Sequence, residues 1–184
     1  MRLVMVTDDA LANADTAVTA EVLAQAIRKL AESAPVDLVL FGEGSADLYF
    51  QQVGLQVGER LGWPALNAIS RIALGEQPGS LRVERDLEDA LEVLDVPLPA
   101  ALSVTTDIAQ PRLPTMKMIL GAARKPVTEW KLADLGLAQP PQNRLQTLST
   151  RAPQHVQRKN VLITAEPDEA VQQLVQSLRQ EGIL

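Results

Sequence analysis

The sequence predicts an α/β fold: a parallel sheet with flanking helices, an antiparallel hairpin extension and a C-terminal arm. Its first third alternates short apolar runs with stretches of helical period, which is how parallel strands joined by crossover helices read. Its middle holds several extended segments separated by short turns, the pattern of neighbouring antiparallel strands. From Leu137 to Lys159 the residues are rich in Gln, Pro and Thr with no sustained period, which marks an extended arm.

Taken in order, Leu3–Val6 is a short apolar run and reads as a strand. Thr16–Ala31 spaces Val18, Val22, Leu23, Ala26, Ile27 and Leu30 as one helical face, with Asp15 or Thr16 as its N-cap. Val36–Phe41 has no polar alternation after Asp37, so it reads as a strand buried on both faces. Gly42-Glu43-Gly44-Ser45 is a turn, and Asp47–Leu61 is predicted as the next helix, capped by Ser45 or Asp47. Beyond Gly62-Trp63-Pro64, the segments Ala65–Leu74, Leu81–Arg85, Ala90–Val96 and Ala100–Thr105 are predicted as antiparallel neighbours. Thr115–Arg124 is a short helix after the stop signals Pro111 and Pro114, and Pro126–Trp130 leads into a turn at Ala133–Gly136. A strand at Val161–Thr164 and an amphipathic helix from Pro167 to Leu178 close the chain. The boundary falls after Gly136, separating an α/β domain (1–136) from an arm, short strand and helix (137–184). The first strand begins at residue 3, where a doubly wound sheet would have more strands, so the N-terminal side reads as short.

Composition removes whole classes of function. With 46% hydrophobic and 22% charged residues over 184 positions, the chain is an ordinary globular protein, not a disordered, collagenous or coiled-coil one. The absence of cysteine excludes disulfides, thiolate metal sites and cysteine nucleophiles, and makes the cytoplasm the default compartment. A single histidine, His155, excludes histidine-rich metal sites and leaves no base beside a nucleophile for hydrolase chemistry. A net charge of −6 without a basic stripe argues against nucleic acid. No apolar run approaches the roughly 20 residues of a membrane span. Met1–Thr7 is too short for a signal peptide and runs into Asp8 and Asp9. The adjacent acids Asp8-Asp9 and Glu88-Asp89 diverge along the chain and read as solvated charges.

Two segments carry chemistry. In Val36–Pro64 a buried strand, a glycine turn and a helix start converge, an arrangement that holds a phosphate on backbone N–H groups. Gly42 and Gly44 let a ligand approach the backbone, while Glu43 and Asp47 repel an anion, and Asp47 is suited to a ribose hydroxyl. Gln51 and Gln52, expected about one turn into the helix, are within reach of such a ligand, and Gly54 and Gly58 point to close helix packing. A plain strand-to-helix turn is the alternative reading of the same residues. In Thr105–Gly136, a loop with two prolines opens a short helix carrying Lys117, Arg124 and Lys125. It reads either as a basic docking knob or as a helix whose Met116, Ile119, Leu120 and Ala123 face the core.

Read together, FGEGSADLYFQQVGLQVGERLGWP, VERDLEDALEVLDVPLPAALSVTTDI, PRLPTMKMILGAARKPVTEW and ADLG resemble the electron transfer flavoprotein beta subunit, in the branch linked to carnitine metabolism and nitrogen fixation. The resemblance covers nearly all of Val36–Gly136 in order. It implies a Rossmann-like, adenine-nucleotide-alpha-hydrolase-like fold and an electron carrier subunit with no catalysis of its own. The implied partners are an alpha subunit holding a shared FAD in a heterodimer, an acyl-CoA or related dehydrogenase, and a membrane quinone oxidoreductase. It places AMP, or a second FAD in members that bifurcate electrons, on Gly42, Gly44, Ser45, Asp47, Gln51, Gln52 and Gly54. It places the dehydrogenase contact on Met116, Lys117, Ile119 and Leu120, with Met116 where a leucine anchor is usual. Family members carry a further strand and helix ahead of the position of Met1, so this chain resembles a truncated form. A remnant nucleotide-binding or scaffold domain without a redox role is the competing expectation.

Overall fold

A computed structural model of the chain describes residues 2–153 and 159–184. The chain packs into two compact units, Met1–Gln146 and Thr147–Leu184.

In the first unit, β1 (Leu3–Val6) leads through a 3-10 turn at Asp9–Leu11 to α1 (Thr16–Ala31). Asp15 caps α1, its carboxylate accepting from the Val18 N–H at 2.8 Å. The other elements are β2 (Leu38–Gly42), α2 (Val53–Leu61), β3 (Ala65–Leu74), β4 (Ser80–Asp86), β5 (Leu91–Pro97), β6 (Ala100–Val104), α3 (Met116–Ala122) and β7 (Val127–Trp130). A five-stranded sheet runs in the order β2-β6-β3-β4-β5, and β1 pairs with β7 in a separate parallel pair. The mixed α/β architecture is the one expected, with β3-β4-β5 as the antiparallel extension.

The expected antiparallel placement of Ala100–Thr105 is corrected. β6 lies between β2 and β3 and runs parallel to both. The reason is burial: Ala100, Ala101, Leu102 and Ser103 are all buried, and an unbroken run of small and apolar residues suits an interior parallel strand covered on both faces.

The expected helix Asp47–Leu61 is also corrected, since α2 starts only at Val53. Tyr49 (φ 48°) and Gln51 (φ 55°) have left-handed backbone and so cannot continue a right-handed helix. Neither Ser45 nor Asp47 caps it; the Asp47 carboxylate accepts instead from the Leu48 N–H at 2.8 Å, a local turn bond. Gln51 and Gln52 therefore precede the helix, and Gln52 is its N-cap residue without a side-chain capping bond. At the other end Gly62 (φ 70°) supplies the left-handed stop.

α1 serves two cores at once. Val18, Val22 and Ala26 pack with Leu132, Leu135, Val6 and Trp130 beside the β1-β7 pair. Ala20, Ala24 and Ile27 pack with Val57 of α2 and with Val39 and Phe41 of β2. A third cluster, Ile69, Leu81, Val83, Val96, Ala100 and Leu102, fills the five-stranded sheet. Gly58 lets α2 settle on β3 and β6, because a Cβ there would collide with Ala65 and lie 3.2 Å from the Ala101 side chain.

In the second unit, α4 (Pro167–Gln180) starts with proline in its first turn, as expected. Val161–Thr164, expected as a strand, forms none, and its Val161 and Leu162 are exposed.

Candidate functional site

Where β2 ends, the starts of α1 and α2 turn toward the same space and enclose a cavity of about 480 Å³. This is the crevice beyond the carboxyl ends of parallel strands where α/β sheets take ligands. The Ser103 hydroxyl donates to the Gly42 carbonyl at 3.1 Å and fixes the end of β2. Nothing lies within 4 Å of a Cβ built on Gly42, so the backbone is open there. Gly44 is covered by the ring of Tyr49, and Gly54 by the ring of Phe41 at 3.1–3.2 Å from a built Cβ. The cavity wall includes Gly42, Gly44, Ser45, Asp47, Gln51, Gln52 and Gly54, so the structure brings the sequence-predicted set together.

The electrostatics are one-sided. Asp15, Glu43 and Asp47 line the cavity, and among the described residues no Lys or Arg does. The Val18 N–H, with further help from the N–H groups of Arg144 and Leu145, holds the Asp15 carboxyl below its ordinary value. A Ser45 hydrogen bond and the Leu48 N–H do the same for Asp47. A hydrogen bond to Glu43 pushes the Tyr49 phenol upward. The positive element is the first turn of α2, whose leading N–H groups have no intrahelical acceptor and receive no cap from Gln52. Phe41, Leu48, Phe50 and Val53 add an apolar wall.

These residues fit an adenine nucleotide in one sense only. The α2 end is suited to a phosphate, the carboxylates and glutamines to sugar hydroxyls, and the apolar wall to a base. Sequence reasoning treated Asp15 and Thr16 as alternative caps alone and passed over Thr19, Phe41 and Phe50, which also line the cavity. The signal for Asp15, Thr16 and Thr19 was topological: the start of α1 and the end of β2 fall at the same end of the fold.

Away from the cavity, α3 is fully exposed. None of its residues is buried, and Met116 is 70% and Leu120 60% exposed. The core-facing reading of this helix is thereby overturned: Met116, Met118, Ile119 and Leu120 are all exposed, so its apolar residues cover no part of the core. Met116, Ile119 and Leu120 instead share an open surface with Lys117, and Arg112, Arg124 and Lys125 flank them in sequence.

Among the described residues no cluster of acidic or histidine side chains is suited to a metal ion, and no helix is long and apolar enough to cross a membrane. His155 lies outside the described residues. The family model of the electron transfer flavoprotein domain matches residues 1–135, from β1 through the cavity and α3 to the turn after β7. That match spans well over half of the chain, which belongs to the electron transfer flavoprotein domain family.

Proposed function

We propose that the chain is the beta-type subunit of an electron transfer flavoprotein, in the branch associated with carnitine metabolism and nitrogen fixation. It pairs with an alpha subunit as a heterodimer and works in the cytoplasm. It passes electrons from an acyl-CoA or related dehydrogenase toward a membrane quinone oxidoreductase. The observation that carries this reading is that one family match runs unbroken through both the cavity and the exposed α3 surface.

The chemistry is electron transfer, supplied when bound by FAD shared with the alpha subunit; the chain is a carrier subunit and not an enzyme in its own right. Its residues bind and orient. The first turn of α2 holds the phosphate of AMP, or of a second FAD, Gly42 lets the backbone close on it, and Gly44 makes room for the Tyr49 ring. Gln51 takes a sugar hydroxyl, with Ser45, Asp47 and Gln52 beside it on the same wall, while Gly54 lets Phe41 pack under the helix start. Met116, Lys117, Ile119 and Leu120 dock the dehydrogenase, with Met116 as an adaptable apolar anchor.

Co-expression with an alpha subunit tests the proposal. The two chains should co-purify with the visible absorbance of flavin, and a substrate-charged dehydrogenase should bleach it. Flavin that stays with the alpha subunit alone, reduced equally well without this chain, would assign the chain to a scaffold role and overturn the reading.

A further inference from the structure

Glu43 makes contacts that neither β2 nor α2 requires. Tyr49 (φ 48°) and Gln51 (φ 55°) hold left-handed backbone in the loop between them, a conformation that non-glycine residues keep only with outside support. Both lean on the same carboxylate. Gln51 Nε2 donates to Glu43 Oε1 at 3.0 Å, and the neighbouring Glu43 carboxylate holds the Tyr49 phenol above its ordinary pKa. A carboxylate accepts and does not donate, so the nitrogen end of the Gln51 amide must face it. The bond to Glu43 uses one of the two Nε2 N–H groups and fixes the amide, so its oxygen is the end turned away from the carboxylate and toward a ligand. An oxygen acceptor pairs with a hydroxyl and is repelled by a phosphate.

We propose that Glu43 is the positioning residue of the cavity: by committing the Gln51 nitrogen, it makes Gln51 a reader of ribose hydroxyls and leaves the phosphate to the α2 end. This rests on the nucleotide-binding reading above. The carboxylate that appears hostile to an anionic ligand is then a sorting device. It orders the loop, and it sets which end of a nucleotide faces which wall.

The test compares AMP with 2′,3′-dideoxy-AMP on the 184-residue chain, with dissociation constants read by ligand-observed NMR. Wild type should prefer AMP by about five-fold, the size of one net hydrogen bond. Glu43→Ala frees the amide to rotate and should bring the preference within about two-fold, whereas Glu43→Gln retains an acceptor oxygen and should restore it. A second readout needs no ligand. Tyr49 is the single tyrosine of the chain, so ultraviolet titration of the phenol follows one group, and its midpoint should fall in Glu43→Ala. Failure of wild type to bind either compound overturns the nucleotide reading and this inference with it. Equal binding of the two compounds by wild type, a preference that survives Glu43→Ala, or an unmoved phenol midpoint overturns this inference and leaves the nucleotide reading standing.

Discussion

Gly58 is where the absence of a single methyl group decides how closely two layers pack. A Cβ at this position would overlap the Ala65 side chain of β3 and crowd Ala101 of β6, both held by the sheet. Gly58→Ala should therefore cost about 1–3 kcal/mol in a urea melt, the range for overpacking a filled core. Gly54→Ala should cost less, because its new methyl meets the Phe41 ring at 3.1–3.2 Å and a ring edge can shift by a few tenths of an ångström. Asp15 acts through its charge. Its folded-state pKa lies below the ordinary 3.8, held there first by the Val18 N–H. A depressed carboxylate stabilises the fold above its unfolded pKa and loses that contribution as pH falls through the folded value. Asp15→Ala should thus lower the urea midpoint at neutral pH, and the gap to wild type should narrow once the pH drops below about 3.8. A gap that stays constant into acid would assign the loss to helix packing and not to the charge. The same carboxylate accepts from the backbone of Arg144 and Leu145, and Asn143 Nδ2 donates to the Asn13 carbonyl at 2.8 Å. These long-range partners left no trace in local sequence pattern.

At the scale of elements, α3 separates stability from recognition. Met116 is 70% exposed, so Met116→Ala should change stability by less than about 0.5 kcal/mol. Its effect on dehydrogenase affinity should be a loss of about 1–4 kcal/mol, as for a central interface anchor. A chemical melt and electron transfer from a dehydrogenase, run on the same variant, check both halves. A large drop in stability with unchanged transfer would return α3 to a packing role. The elements also show what the sequence made legible. β1, α1, β3, β4 and the start of α4 followed from period and punctuation, because each has a clear apolar face or a proline or glycine stop. The late start of α2 did not. Asp47 and Ser45 are good caps by residue type, and only the left-handed backbone of Tyr49 and Gln51, held by Glu43, shows that the chain turns once more before the helix begins. β6 was legible as a strand but not in direction, since Ala100–Val104 follows β5 closely in sequence yet lies between β2 and β3. The cavity residues were legible as a set because they sit in one continuous segment. Their α1 neighbours were not, because only the folded sheet end brings them near.

For the whole molecule, the second unit raises the question of what covers it. None of the residues of α4 is buried, and Val171 and Leu174 of the helix are 60% and 49% exposed. An amphipathic helix in that state gains most of its stability by packing against another surface. On the heterodimer reading, the alpha subunit supplies it. A chain ending at Gln146 should fail to co-purify with the alpha subunit, and equal recovery with and without Thr147–Leu184 would show that this segment does not hold the alpha subunit. In the first unit the β1-β7 pair and the five-stranded sheet share no strand, a division that invites independent melting. α1 prevents it. Its two stripes belong to different cores, one beside the β1-β7 pair and one against α2 and β2, so neither can open without unpacking the same helix. α2 in turn packs on β3 and β6 of the sheet. The consequence is cooperativity. The first unit should unfold in one transition whose van't Hoff and calorimetric enthalpies agree, and the amides of α1 should be among the last to exchange their hydrogens with solvent.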